Sequence, residues 1–229
     1  MPEPKHNPNP SKIVDPPRWL RWFISKRVLG PYTSRRAIET RRQRAEAARR
    51  KRGAPHVVEY FHQLDDPYSH LTAQVLATFA DRYDIQLRCY LIRATGGKNQ
   101  PELEKLAVWA RRDAAVIAPH LGRAFPEQAG TVPDAHHARL AGRALANKSD
   151  AGFKARLEVI SRALWLGDEA ALIELAEDGG SDADLAAALD RGTAQLAERA
   201  HYSGATFYYA GEWYWGVDRL FHLEQRLRE

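Results

Sequence analysis

The chain holds a single cysteine, Cys89, so no intramolecular disulfide, Cys-x-x-Cys redox pair or four-cysteine zinc site can be assembled from it. Cys89 lies in an apolar run with the pattern of a strand, where a buried thiol packs rather than reacts. More chemistry is available in Asp66-Pro67-Tyr68-Ser69. Asp followed by Pro opens helices readily, because the carboxylate satisfies free amides and proline suits the first helical position. Two readings of Asp66 stay open: a cap alone, or a cap that is also a general base or hydrogen-bond acceptor, which needs a substrate proton within about 3 Å. Tyr68 and Ser69 are the hydroxyl donors beside it. Asp218 falls where a last helix begins and is favoured there by the helix dipole, capping it or pairing locally with Arg219 or Arg226. His62, His70, His136 and His137 lack metal-ligand spacing, so no metal is expected.

These residues need elements to position them. His56 to Phe61 (HVVEYF) and Ile85 to Ile92 (IQLRCYLI) read as strands. Between them Tyr68, Leu71, Val75, Phe79 and Tyr83 recur at helical spacing, which makes a βαβ unit. Pro101 to Ala200 is helical throughout, with breaks expected near Pro119, Pro126 to Pro133, Gly152, Gly167 and Gly179-Gly180. Within it Ser181 can cap a helix whose first turn holds Asp182 and Asp184. Thr206 to Tyr209 (TFYY) and Glu212 to Trp215 (EWYW), joined at Ala210-Gly211, read as a hairpin before a final helix. Alternate members of that aromatic cluster can line an apolar pocket beside Asp66.

The first 53 residues differ in kind, with 15 Lys/Arg against 4 Asp/Glu, whereas the remainder carries 19 against 25. Residues 1–17 are Pro-rich and polar, a composition expected to stay disordered. Residues 18–53 form a basic arm. Arg18 to Leu29 mixes aromatic and basic residues as a short interfacial helix does, with docking on this chain or a partner as the other reading. Gly30-Pro31 is expected to end it. Thr33 and Ser34 can cap a second helix reaching about Lys51. The arm suits a protein partner or an anionic membrane surface. Nucleic acid is disfavoured, because the basic stretch lacks stacking aromatics. No run is long and apolar enough for a transmembrane span or a signal peptide, so a cytoplasmic protein, peripheral to the membrane at most, is expected.

The order βαβ, helical block, ββα over about residues 56 to 228 resembles the DsbA-like thioredoxin superfamily, especially 2-hydroxychromene-2-carboxylate isomerases and kappa-class glutathione transferases. The resemblance implies an α/β, thioredoxin-like fold with a large all-helical insertion at about 100–200, inside a domain of residues 54–229. Tyr60 to Ser69 resembles the family's strand and Ser-Pro-Tyr turn, which is Cys-Pro-x-Cys in dithiol oxidoreductases. Asp66 falls at the first cysteine or the serine, and Ser69 at the second cysteine. Ser203-Gly204-Ala205-Thr206-Phe207 resembles the Gly-Val-Pro-Thr-Phe loop, with Ala205 where the family has a cis-proline; a cis bond there would cost about 3 kcal/mol, so the loop is expected to be trans and differently shaped. Trp215 to Leu220 resembles the opening of the last helix, where Asp218 helps to hold the γ-glutamyl end of glutathione. The resemblance therefore implies glutathione as cofactor with Ala205, Thr206 and Asp218 as its contacts. It implies an isomerase or transferase acting on a small aromatic or electrophilic substrate, with Asp66, Tyr68 and Ser69 as the catalytic group, and it allows a dimer. The other class left open is a non-catalytic domain that binds a partner through its arm.

Overall fold

A computed structural model describes residues 17–94, 102–126 and 133–228. The expected disordered tail, apart from Pro17, lies outside them. The chain divides into two units, residues 1–54 and 55–229.

In the first unit α1 (Arg18–Phe23) runs through a π-helical stretch, Ile24–Leu29, into α2 (Gly30–Thr33), and α3 (Arg35–Lys51) follows. Gly30-Pro31 does not end the helix as expected. Directly before Pro31 the turn is widened, with the Gly30 N–H donating to the Ser25 carbonyl, and a widened turn accommodates a residue that has no N–H to donate. The chain bends at Ser34 instead, which is extended at ψ 146 and whose hydroxyl accepts from the Ala37 N–H at 3.3 Å.

The second unit begins with β1 (His56–His62), α4 (Pro67–Arg82) and β2 (Ile85–Leu91). A helical block follows: α5 (Leu103–Ile117), a 3-10 turn at Pro119–Leu121, α6 (Ala135–Ala146), α7 (Asp150–Leu166), α8 (Glu169–Ala176) and α9 (Asp182–Glu198). The chain then forms β3 (Thr206–Tyr209), β4 (Glu212–Trp215), a 3-10 turn at Val217–Arg219 and α10 (Leu220–Arg228). The sheet order is β2-β1-β3-β4, with β1 parallel to β2 and antiparallel to β3.

Local chemistry explains most boundaries. Asp66 caps α4 with Pro67 at its start, and Ser181 with Asp184 forms a reciprocal capping box on α9, satisfying amides that a helix leaves free. Gly167 ends α7 in the left-handed region at φ 67, which glycine adopts without penalty. Gly152 does not interrupt the block as expected: it sits in the first turn of α7 and donates to the Ser149 cap at 3.2 Å. The break expected at Pro126 to Pro133 falls largely outside the described residues.

Alternation along β1 sends Val58 and Tyr60 to one face and Phe61 to the other. The first face packs with Phe79, Leu157, Leu164, Phe207 and Leu223 in the main core. The second packs with Ile92 and Leu196. Also buried is Glu59, which accepts from Arg199 at 3.0 Å and Gln195 at 3.2 Å.

Candidate functional site

The turn from β1 into α4 places Asp66 at a helix N-terminus. Its Oδ2 accepts from the Ser69 N–H at 2.8 Å and the Ser69 hydroxyl at 2.7 Å. Its Oδ1 has a single long contact, the Tyr68 N–H at 3.4 Å. The side chain is partly exposed and borders a cleft. Burial raises the carboxyl from 3.8 to about 6, against the pull of the Ser69 hydroxyl and the two amides and with a small push from Asp65. At that value the group holds and releases a proton near neutral pH, and Oδ1 is the oxygen left to carry it.

Ser69 is fully buried and joins the corner to the opposing loop. While donating to Asp66, its oxygen accepts the Ala205 N–H at 2.9 Å and the Gln63 N–H at 3.2 Å. Behind it the buried Tyr60 hydroxyl pairs with His62 Nδ1 at 2.9 Å. His62, enclosed by the core, is lowered to about 3, chiefly by burial and also by nearby His70, and is therefore neutral. His70 is lowered to about 4 by burial and pairs with Ser161 at 2.8 Å.

The loop facing the corner is as close as its side chains allow. A methyl group on Gly204 would lie 2.7 Å from Gln63 Cβ and 3.3 Å from Asp66 Oδ2. Ala205 is 1% exposed and left-handed at φ 51, an uncommon conformation for a residue with a side chain. No cis peptide bond occurs among the described residues. The Ala205 carbonyl accepts from the Gly216 N–H at 2.9 Å, so both backbone groups of Ala205 are engaged within the chain.

Beside Asp66 lies a cleft of about 810 Å³. Pro67, Leu106, Ala110, Ile117 and Trp215 supply its apolar wall, and Asp113, Arg111, Asp218 and Arg219 its polar margin. That mixture of apolar wall and few polar groups is what small-molecule sites present. The Tyr68 hydroxyl faces the cleft but donates to Asp113 at 2.7 Å, and Asp218 pairs with Arg219 at 3.3 Å.

Of the residues expected from sequence, Asp66, Tyr68 and Asp218 border the cleft. Ser69, Ala205 and Thr206 are buried behind it; Thr206 donates to the Gly204 carbonyl at 2.8 Å. Ser69 is therefore placed to position Asp66 rather than to touch a substrate. Asp113 and Trp215 join the site; among sequence signals, only alternation along the aromatic hairpin pointed to Trp215. Cys89 stands on β2 with its thiol pushed well up by burial, then by Asp150. Among the described residues no group of three or more His, Cys, Asp or Glu could hold a metal ion.

Glutathione, which the resemblance implies, does not fit this corner. Asp66 itself accepts from the free amides that would hold a thiolate, and a carboxylate beside a thiolate repels it. Both backbone groups of Ala205, which the resemblance implies as a glutathione contact, are already bonded, to Ser69 and Gly216.

Ser69→Ala tests the junction. It strands the buried Ala205 N–H and the part-buried Gln63 N–H and removes a donor from Asp66, each lost partner costing about 1 to 3 kcal/mol when buried. A loss of about 3 kcal/mol in urea denaturation is expected, together with a further rise of the Asp66 pKa by NMR, since Ser69 holds it down. An unchanged pKa would show that the hydroxyl does not govern the carboxylate.

The strand-to-helix corner, the facing loop and the helical block together define a DsbA-like thioredoxin fold. Among solved structures, a 2-hydroxychromene-2-carboxylate isomerase is similar over 75% of this chain and 94% of its own, at 22% identity and a TM-score of 0.55. A Streptomyces coelicolor protein described as a probable DsbA oxidoreductase is similar over 76% of this chain and 91% of its own, at 17% identity and a TM-score of 0.54. The likeness is one of fold. No protein-family model and no curated protein sequence matches the chain.

Proposed function

We propose that the protein is a cofactor-independent isomerase for a small aromatic compound, with Asp66 moving the proton. The observation that carries this reading is the Asp66 carboxyl itself: poised at about 6, fixed through Oδ2 and open at Oδ1 beside an apolar cleft. Such a group can take a proton from one atom of a bound molecule and return it to another, leaving Asp66 as it began. An isomerisation balances in this way without a co-reactant. Glutathione transfer would need the thiol that the corner disfavours, and dithiol exchange a second cysteine that the sequence lacks. The apolar wall around Trp215 supports an aromatic substrate, and Arg111 and Arg219 can meet negative charge on it. The single cysteine supports a reducing, cytoplasmic setting. Among the described residues no helix is long and apolar enough to cross a membrane.

The second reading is a non-catalytic domain, favoured by the closed corner in which Ser69 ties Asp66 to Ala205. Two measurements separate the possibilities. Calorimetric titration with glutathione should give no heat with the natural protein; heat would overturn the cofactor-independent reading. Heat from Asp66→Ser alone would mark an ancestral thiol site blocked by the carboxylate. With 2-hydroxychromene-2-carboxylate as probe, conversion without glutathione supports the isomerase, and no conversion with or without it leaves the non-catalytic domain.

A further inference from the structure

The arm carries an exposed aromatic face. Trp19, Trp22 and Phe23 stand at i, i+3 and i+4 on α1 and share one side of the helix. They are 70%, 60% and 49% exposed, and neither α1 nor α3 contains a buried residue. Residues 18–53 hold thirteen Lys/Arg against Glu39 and Glu46. Glu39 is paired with Arg35 at 2.9 Å, and Glu46 with both Arg49 and Arg50 at 2.6 Å. Two acids cannot offset thirteen cations, so the segment is strongly positive whatever its internal pairing.

We propose that this arm binds an anionic lipid surface, α1 entering the interface through its aromatic side and α3 lying along the headgroups. The two helices divide the work by composition. Indole and phenyl rings favour the boundary between headgroup and acyl chain, while lysines and arginines are drawn to the negative surface potential of anionic lipid. An apolar element joined to a polybasic segment is the two-signal arrangement that stable peripheral binding requires. In α3 the features that other partners need are missing. In α3 the one large apolar residue is Ile38, too little for a stripe that would seat in a protein groove. That helix has no aromatic residue, whereas nucleic-acid surfaces interleave stacking rings with their positive charges.

The test is flotation of the full chain with vesicles of phosphatidylcholine containing about one-third phosphatidylglycerol, against vesicles of phosphatidylcholine alone. Binding to the anionic vesicles is expected, at least about tenfold weaker on the neutral ones and at least about tenfold weaker at high salt, because the attraction is screened. The triple variant Trp19→Ala, Trp22→Ala, Phe23→Ala, with its fold checked by circular dichroism, should lose at least about tenfold in partitioning while keeping the salt dependence of what remains. Equal binding to both vesicle types, or none to either, would overturn the proposal. So would a triple variant that floats unchanged while duplex DNA displaces the natural protein from vesicles, since that would identify a general polyanion site.

Discussion

Asp66→Asn is expected to lower conversion of 2-hydroxychromene-2-carboxylate at pH 7 by about 10²- to 10⁴-fold, the usual contribution of a positioned acid or base, without unfolding the protein. Asparagine caps a helix nearly as well as aspartate, so the corner keeps its geometry and loses only the proton. Stability gives an independent reading with a defined sign. The folded carboxyl titrates at about 6 against 3.8 for the free group; its folded pKa is raised. The associated stability is therefore fully present below about pH 4 and is lost as pH rises to about 6, a change on the order of 2 to 3 kcal/mol. Urea denaturation of both proteins from pH 4 to pH 7 should show natural-minus-variant stability falling across that interval. The pH–rate profile should lose its limb near pH 6 in the variant. A flat stability difference would mean that Asp66 is not desolvated, and unchanged turnover would leave it a cap alone.

How much of this site could be read before folding depended on how local each interaction was. Asp66 and Pro67 announce a helix start within two positions, and β-branched and aromatic residues at 56–61 announce the strand before it, so the corner was legible. The Ser69 junction was not, because its partner Ala205 is 136 residues away and serine in a first helical turn carries no sign of such a bond. The bond from Tyr68 to Asp113, across 45 residues, was hidden for the same reason. Two local rules also misled. Gly30-Pro31 reads as a stop, yet a widened turn carries the helix through; Gly152 reads as a break, yet its amide serves the Ser149 cap. At Gly30 a backbone carbonyl supplied the partner, and at Gly152 a serine hydroxyl did.

The loop opposite Asp66 depends on the left-handed backbone of Ala205, and Ala205→Pro should show it. Proline holds φ near −65°, whereas Ala205 stands at φ 51, so the ring can enter only if the loop is rebuilt. It also removes the N–H that donates to Ser69 at 2.9 Å and pushes Gly204 toward extended conformations, where tight packing against Gln63 and Asp66 leaves little room. Together these terms should destabilise the domain by about 4 kcal/mol, about 3 from the misfit of proline and about 1 from the lost hydrogen bond. Ala205→Gly is the matched control: relief of the left-handed strain, about 1 to 2 kcal/mol, is set against loss of a buried methyl worth about 0.8 kcal/mol, for a net change within about 1 kcal/mol. Thermal denaturation of the pair distinguishes a backbone requirement from a packing one. If Ala205→Pro folds with natural stability and titrates with glutathione, the Ser69 bond is dispensable and the corner retains the thiol-binding geometry that Asp66 and the left-handed loop otherwise replace. If it unfolds while Ala205→Gly does not, the αL turn and the Ser69-held carboxylate form one mutually dependent arrangement that proline at 205 cannot enter.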